Sequence, residues 1–260
     1  MDLHVEVAGR GPPLVLLHGW GLHGGVFAPL VERLAADFQL HLVDLPGHGH
    51  SRHCALPLGL DECAAQVLRQ TPAATWIAWS LGGLFALRAA AMSPQVKALA
   101  MLASTPRFVR AADWPHAVEP EVFAQFARDL EQDHGTTLQR FLALDTLGSD
   151  HARSELRTLK DTLYARGEPA PAALRQGLSL LQASDVRALL PGLRSPSLWL
   201  SGRRDRLVPP AAMAAAAAMA GGRHVDIPGA GHAPFLGHAD EVAGQLRAFL
   251  ADPALKEGSR

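Results

Sequence analysis

Short apolar runs recur along the chain and alternate with longer segments in which apolar residues repeat at helical spacing. The runs are PLVLLHG, FQLHLVDLPG, TWIAWS, VKALAMLAS, SPSLWLSG and RHVDIPG, and each ends at a turn or a polar residue. Nearly continuous runs of this kind are typical of strands covered on both faces, as in a parallel sheet. The helical segments cover residues 26–36, 60–70, 81–92, 211–220 and 240–250. The alternation predicts an α/β fold with a mostly parallel sheet and helices on both faces.

The alternation is interrupted once, between residues 106 and 191. This stretch contains only amphipathic helical patterns punctuated by glycines and prolines, and the strand pattern then resumes with SLWLSG. Open α/β sheets bind ligands beyond the carboxyl ends of their strands, so a helical insertion between two strands predicts a lid over such a site. We therefore expect a core formed by residues 1–105 and 192–260 and a lid formed by residues 106–191.

Composition and charge narrow the class of protein. The 260 residues are 48% apolar and 19% charged, and 24 Lys and Arg nearly balance 25 Asp and Glu. That balance argues against nucleic acid as a partner. The two cysteines, Cys54 and Cys63, form no disulfide framework, which suits a reducing compartment.

The sequence also bears on location. The opening MDLHVEVAGRG lacks the pattern of a signal peptide, and the longest apolar stretch, AAMAAAAAMA, is too short to cross a bilayer. We therefore expect a cytoplasmic protein with no membrane partner.

Two short motifs suggest other chemistry and are weak. LVLLHGWGLHGG holds a dinucleotide-type pattern, with Asp44 placed as a ribose-binding acid and the three glycines at Gly19, Gly21 and Gly24. The bulky Trp20 and His23 would crowd a pyrophosphate in that loop. A second stretch clusters four metal-ligand types, at His48, His50, His53 and Cys54. It lacks a distant set of partner ligands, so we predict a solvent-facing loop and expect neither a metal nor a cofactor.

The segment TWIAWSLGG resembles the strand-turn-helix elbow that presents a nucleophilic serine. Ser80 occupies the turn, and the flanking positions must be small because strand and helix approach closely there. Gly82 meets that need, whereas Ala78 adds one methyl group at the other small position. Taken alone, Ser80 could equally be an ordinary helix-capping serine.

A serine nucleophile needs a base and an acid, which in this architecture follow in the order Ser, Asp, His. Asp205 lies in the loop after SLWLSG, and His232 lies in the glycine-rich loop after the last predicted strand. Asp205 could instead pair with a neighbouring arginine, and His232 could be a surface histidine. The shared order and the shared side of the sheet favour a catalytic triad of Ser80, Asp205 and His232.

An oxyanion hole needs two main-chain N–H donors. Leu81 follows the nucleophile directly, and Trp20 follows the His18-Gly19 pair after the first predicted strand. The loop that imitates a dinucleotide fingerprint therefore has a second explanation, with the Trp20 ring forming a wall of the pocket.

The motifs HGWG, DLPGHGHS, WSLGG, SGRRDRLVP and GAGHAPF together resemble the α/β-hydrolase superfamily along nearly the whole chain. HGWGL paired with WSLGG is most similar to esterases of biotin synthesis, which carry glycine where this chain has Ala78. The resemblance implies cleavage of a methyl ester from an acyl chain borne by acyl-carrier protein. It implies the same triad and adds Phe141 to Trp20 and Leu81 as residues around the acyl chain.

The predicted lid carries a basic row beside an apolar stripe. In SDHARSELRTLKDTLYARG, Leu156, Leu159 and Leu163 repeat at helical spacing. The basic residues are Arg153, Arg157 and Lys160, and Arg140, which directly precedes Phe141, could join them. Such a row is ordinarily a solvated face, but on this lid we expect it to dock the acidic carrier protein.

The leading hypothesis is a monomeric serine carboxylesterase acting on the carrier-bound methyl ester. A generic short-chain carboxylesterase or lactonase of the same fold remains an alternative. So does a hydrolase-fold protein that binds its ligand without turning it over. A nicotinamide oxidoreductase is the third class, resting on the glycine pattern alone.

Overall fold

The computed structural model of the protein describes residues 2–252. These residues form one seven-stranded sheet in the order β1-β3-β2-β4-β5-β6-β7, and only β1 runs antiparallel to its neighbour. The strands are β1 (Val5–Gly9), β2 (Pro13–Leu17), β3 (Gln39–Val43), β4 (Ala74–Trp79), β5 (Val96–Leu102), β6 (Ser197–Gly202) and β7 (Arg223–Ile227). Almost every residue of β2, β4, β5 and β6 is buried, so both faces of the central sheet are covered.

Ten α-helices accompany the sheet in the described part of the chain. They are α1 (Ala28–Leu34), α2 (Leu60–Gln70), α3 (Gly82–Met92), α4 (Pro120–Gln132), α5 (His134–Thr146), α6 (Ala152–Ala165), α7 (Pro171–Ala183), α8 (Pro210–Met219), α9 (Pro234–Gly237) and α10 (Ala239–Leu250). Short 3₁₀ segments cover Gly24–Phe27, Gly49–Ser51 and Arg187–Gly192. Helix α2 packs beside α3, and α1 packs beside α10. None of these helices combines the length and apolar character needed to cross a membrane.

The predicted fold class is confirmed. Each of the six apolar runs contains a strand, and helices α1, α2, α3, α8 and α10 occupy the predicted helical segments. The edge strand β1 was not among the predicted strands. It is short and mostly exposed or half-buried, and it therefore lacks the apolar run that marks the others.

Helices α4 to α7 all lie between β5 and β6, in the segment predicted to form a lid. Helix α4 packs against α5 and α7, and α5 packs against α6. The predicted division into a core and a lid domain remains a prediction, but the position of these helices brings their inner residues next to the loops that follow the central strands.

Contacts across this boundary tie α6 and the loop after it to the core. Arg166 pairs with the buried Asp44, at 3.2 Å, and with Glu6 on β1. His23 donates a hydrogen bond from Nε2 to the Thr162 carbonyl at 2.7 Å. These contacts hold the insertion over the carboxyl edge of the sheet.

Candidate active site

Ser80 stands at a sharp turn between β4 and α3. Its φ of +52° lies in the left-handed region that residues other than glycine rarely adopt. A Cβ built at Gly82 would lie 2.6 Å from the Leu17 carbonyl oxygen, so glycine is required there for the helix to approach the sheet. Ala78 is completely buried in β4 beside Leu17 and Met101. The turn therefore forms with alanine at its first small position.

Ser80, His232 and Asp205 form a continuous chain of hydrogen bonds. The Nε2 atom of His232 lies 2.8 Å from the Ser80 Oγ, and its Nδ1 atom lies 2.8 Å from the Asp205 Oδ2. All three side chains are buried. In the tautomer with a proton on Nδ1, His232 donates to Asp205 and accepts the hydroxyl proton of Ser80.

The acid is fixed by its own loop. The Asp205 Oδ1 accepts hydrogen bonds from the main-chain N–H groups of Leu207, at 2.8 Å, and Val208, at 2.9 Å. Its other oxygen is thereby aimed at His232. The neighbouring Arg204 pairs instead with Asp150, at the surface. Arg204 is therefore not the ion-pair partner of Asp205 that the alternative interpretation requires.

The main chain of His232 is held on both sides. Its N–H donates to the Asp145 carbonyl at 2.9 Å, and its own carbonyl accepts from the Trp79 indole N–H at 2.8 Å. Trp79 ends β4 next to Ser80, so the same strand positions the nucleophile and the base. Asp145 belongs to α5, so the insertion also contributes to holding the base.

Burial and charge act in opposite directions on His232. Burial is the largest single effect and lowers the pKa of the imidazole, but the charge and the hydrogen bond of Asp205 and the charge of Asp145 together outweigh it, so the pKa lies above its ordinary value. An imidazole in this environment is a stronger base than a solvated one. This favours transfer of the Ser80 proton to Nε2.

Two main-chain N–H groups flank the serine. A Cβ built at Gly19 would lie 3.1 Å from the Ser80 Cβ, so the loop after β2 touches the nucleophile directly. Within residues 2–252, the N–H groups of Trp20 and Leu81 have no protein acceptor. They are the two donors that the sequence predicts for an oxyanion hole, and this assignment remains a prediction.

The side chains predicted to line the acyl pocket lie together. The rings of Trp20 and Phe141 are 4.6 Å apart, and the Trp20 indole donates to the Leu174 carbonyl of α7 at 2.8 Å. Gly177, one turn further along α7, lies between the Trp20 ring and the Leu81 side chain. Helices α5 and α7 therefore pack against the residues predicted to surround the acyl chain.

The loop with the dinucleotide-type pattern has a structural role. Asp44, the expected ribose-binding acid, is fully buried and accepts hydrogen bonds from the N–H groups of Gly24 and His50, both at 2.8 Å. His18 donates from Nδ1 to the Gly19 carbonyl, and burial lowers its pKa to about 3. The neutral ring stiffens the loop that carries Trp20.

The histidine-rich loop was predicted to face solvent, and this is only partly correct. His50 and His53 are exposed, but His48 is completely buried and packs against the His18 ring, with centroids 5.1 Å apart. Among the described residues, no three His, Cys, Asp or Glu side chains are arranged to hold a metal ion.

The residues predicted to dock a carrier lie away from the triad. Arg153 and Arg157 are exposed on α6, and Lys160 is half-buried there. In the described part of the chain these three cations take part in no ion pair. Arg140 on α5 pairs with Asp129 of α4 at 2.7 Å.

The sequence did not point to Trp79 or Asp145 as site residues. In the sequence, Trp79 is indistinguishable from the other apolar residues of a buried strand. Asp145 carries a usable signal, because Leu138, Phe141 and Leu142 place it on the apolar stripe of α5. An acid on such a stripe is rarely left buried without a function.

The chain matches the α/β hydrolase fold family over residues 12–239, and it belongs to that family. Two similar relatives share the name "Pimeloyl-[acyl-carrier protein] methyl ester esterase". The protein from Xanthomonas oryzae pv. oryzae is 63% identical over 250 residues, which cover 96% of this chain and 99% of the relative. The protein from Stenotrophomonas maltophilia is 61% identical over 259 residues, which cover 99% of this chain and all of the relative.

Solved structures agree on the fold. An esterase from Exiguobacterium antarcticum superposes with a TM-score of 0.84 at 22% identity and covers 96% of both chains. A bromoperoxidase from Bacillus anthracis superposes with a TM-score of 0.87 at 21% identity, covering 96% of this chain and 95% of its own. Likeness at these identities shows the fold alone.

Proposed function

We propose that this protein is a serine esterase that hydrolyses the methyl ester of pimeloyl-[acyl-carrier protein], releasing methanol in biotin synthesis. The observation that carries the proposal is the hydrogen-bonded chain from Ser80 through His232 to Asp205, at 2.8 Å for each link. The substrate is inferred from the name shared by relatives that are 61–63% identical over nearly the whole chain.

The first half of the reaction is acylation. His232 Nε2 takes the hydroxyl proton as the Ser80 Oγ attacks the ester carbonyl, and the N–H groups of Trp20 and Leu81 bind the resulting oxyanion. The carbonyl then re-forms as the bond to the methoxy oxygen breaks. The proton on His232 passes to that oxygen, so methanol leaves and Ser80 carries the acyl group.

The second half is hydrolysis of this acyl-serine ester. A water molecule gives its proton to His232 Nε2 and attacks the same carbonyl carbon, again through an oxyanion held by the two N–H groups. Ser80 regains its proton from His232 when the acyl bond breaks. The free carboxylic acid leaves, and no cofactor takes part in either half.

The exposed cations of α6 suit an acidic carrier. Arg153 and Arg157 face solvent, and no acidic side chain of the described residues pairs with them. They therefore remain available to attract and orient a negatively charged partner. The predicted cytoplasmic location and monomeric state agree with this reaction and remain predictions.

The direct test is methanol release from the methyl ester of pimeloyl-carrier protein, with dimethyl pimelate as the carrier-free comparison. We expect methanol release while the acyl chain stays on the carrier, and we expect Ser80→Ala to abolish it without unfolding the protein. Release of the acyl chain from the carrier would instead indicate thioester cleavage. Full activity in a folded Ser80→Ala protein would refute the serine mechanism.

A further inference from the structure

Asp145 is a buried acid that the esterase mechanism does not use. It lies at the end of α5, only 1% of the residue is exposed, and neither carboxyl oxygen has a hydrogen-bond partner among the described residues. Leaving such a group without a partner costs stability. Because this carboxyl destabilises the fold, we look for a functional role for it.

Its position on the helix offers no structural role. Asp145 lies in the last turn of α5, where the helix dipole opposes a negative charge. It lies on the apolar stripe of α5, four residues after Phe141 and three after Leu142. Neither capping nor packing of α5 accounts for an acid there.

Two charged side chains act on the Asp145 carboxyl, those of His232 and Asp205 of the proposed triad. Burial raises the pKa of this carboxyl most, His232 lowers it and Asp205 raises it, and the resulting pKa is about 7. Arg204, on the loop that carries Asp205, is engaged with Asp150 and the Gly148 carbonyl. Among the described residues, His232 is therefore the group whose positive charge favours an ionised Asp145.

We propose that Asp145 is a positioning residue for His232, to which it makes two contributions. Its main-chain carbonyl holds the His232 N–H at 2.9 Å, and its carboxylate stabilises the imidazolium that forms when His232 takes the Ser80 proton. The inference rests on the proposed function, because it assigns Asp145 a task within that reaction. It also makes the strength of the base depend on the insertion being in place.

The two groups should titrate as a coupled pair. An ionised Asp145 favours the imidazolium, and a charged His232 favours the carboxylate. As the pH falls, the first proton taken up by the deprotonated pair is therefore shared between the two groups. The acid limb of kcat/KM should extend over two protonation steps. Without the carboxylate, the pKa of His232 falls, and the enzyme keeps its neutral base at lower pH.

The test is the pH profile of p-nitrophenyl ester hydrolysis by wild type, Asp145→Asn and Asp145→Leu. We expect the midpoint of the acid limb to move down by about one pH unit in both variants and to follow a single proton. At pH 9, kcat should fall by up to about tenfold, with KM unchanged. Glu155→Gln is the matched control, since Glu155 is also a buried acid of the insertion and its pKa is raised without His232 as a cause.

If the acid limb of Asp145→Asn superposes on that of the wild-type protein, the inference is wrong. The proposed function still stands in that case, provided that the wild-type protein hydrolyses the ester. A shift of the same size in Glu155→Gln would also overturn the inference. If the wild-type protein hydrolyses no ester, the proposed function fails. Nitrogen NMR of His232 then decides this inference: the wild-type resonance should titrate in two steps, and a single step would refute it.

Discussion

Ser80 is held in a conformation that its side chain disfavours. A left-handed residue other than glycine costs about 1 kcal/mol, so the surrounding contacts must impose the turn. Ser104 donates a hydrogen bond from its hydroxyl to the Ser80 carbonyl at 2.6 Å, and the Ser80 N–H donates to Leu102. Gly82 supplies the close approach of α3. This left-handed conformation directs the Ser80 hydroxyl toward His232.

Ala78→Gly tests how much the elbow tolerates at its other small position. Ala78 lies in an ordinary strand conformation, so its methyl group is packed against the core and does not strain the backbone. We expect kcat/KM to stay within about threefold of wild type, a barrier change below about 0.7 kcal/mol. Glycine should lower the free energy of unfolding by about 1 kcal/mol, measured by urea denaturation.

Ala78→Val is the companion variant at this position. Its added methyl groups have no free space in a completely buried strand, so it should destabilise the protein by about 1–3 kcal/mol and reduce turnover. If Ala78→Gly lost its activity while keeping its stability, the methyl group would have a role in the elbow that its packing does not reveal.

Sequence order was enough to propose Ser80, Asp205 and His232, because each follows a strand of the same sheet and parallel strands share a carboxyl edge. It was not enough for the residues that hold His232. Trp79 is 153 positions away from His232 in the chain, and its contact depends on the orientation of one indole ring. No periodicity reports such an orientation. Asp145 was detectable only as an acid on an apolar stripe.

At the scale of elements, the apolar runs predicted the central strands because burial on both faces leaves a strong signal. The edge strand β1 pairs on one side only, with β3, and its residues are all exposed or half-buried. Its sequence VEVAG therefore lacks the continuous apolar run that marks the central strands. The helices of the insertion follow from their amphipathic spacing, but how α7 meets the loop after β2 depends on shape, which the sequence pattern does not encode.

Gly177→Ala tests that contact between α7 and the oxyanion loop. A Cβ at Gly177 would lie 2.5 Å from the Trp20 Cδ1, so alanine must displace the indole ring or the helix. Displacing Trp20 moves the N–H group assigned to the oxyanion hole. We expect kcat on a short p-nitrophenyl ester to fall about tenfold or more, which corresponds to about 1.4 kcal/mol of transition-state stabilisation.

The matched control is Gly244→Ala, a second glycine inside a helix. No atom lies within 4 Å of a Cβ built there, so alanine should gain helix propensity without a clash. It should stabilise the protein by about 0.5–1 kcal/mol and leave kcat unchanged. Equal behaviour of the two variants would show that α7 does not constrain Trp20.

At the scale of the whole molecule, the insertion encloses the chemistry. Ser80 and His232 are each only 1% exposed, and α5 and α7 cover them while Arg166 ties the chain after α6 to the core. Burial strengthens the interactions proposed among Ser80, His232 and Asp205 and with the main-chain donors. It also means that a large carrier protein must remain outside while its acyl chain reaches Ser80. We therefore predict that a carrier is recognised by the exposed surface of the insertion.

Replacing Arg153 and Arg157 with glutamate tests that recognition. Both side chains are exposed on α6, and neither contacts the triad, so the chemical step should be unaffected. We expect kcat/KM for the carrier-bound methyl ester to fall about tenfold or more at low salt, and the loss to shrink as salt screens the attraction. Hydrolysis of a p-nitrophenyl ester should remain near the wild-type rate.

The control is Lys97→Glu with Arg223→Glu, which alters net charge by the same amount at another surface. Both cations are exposed at the amino ends of β5 and β7, opposite the edge that carries Ser80. This pair should leave carrier-bound turnover near wild type, because attraction of the carrier depends on where the positive charge lies. Equal losses in the two double variants would indicate a net-charge effect. Equal losses on both substrates in the α6 variant would mean that the basic row supports the fold of the insertion. The docking assignment would be wrong after either of these two results.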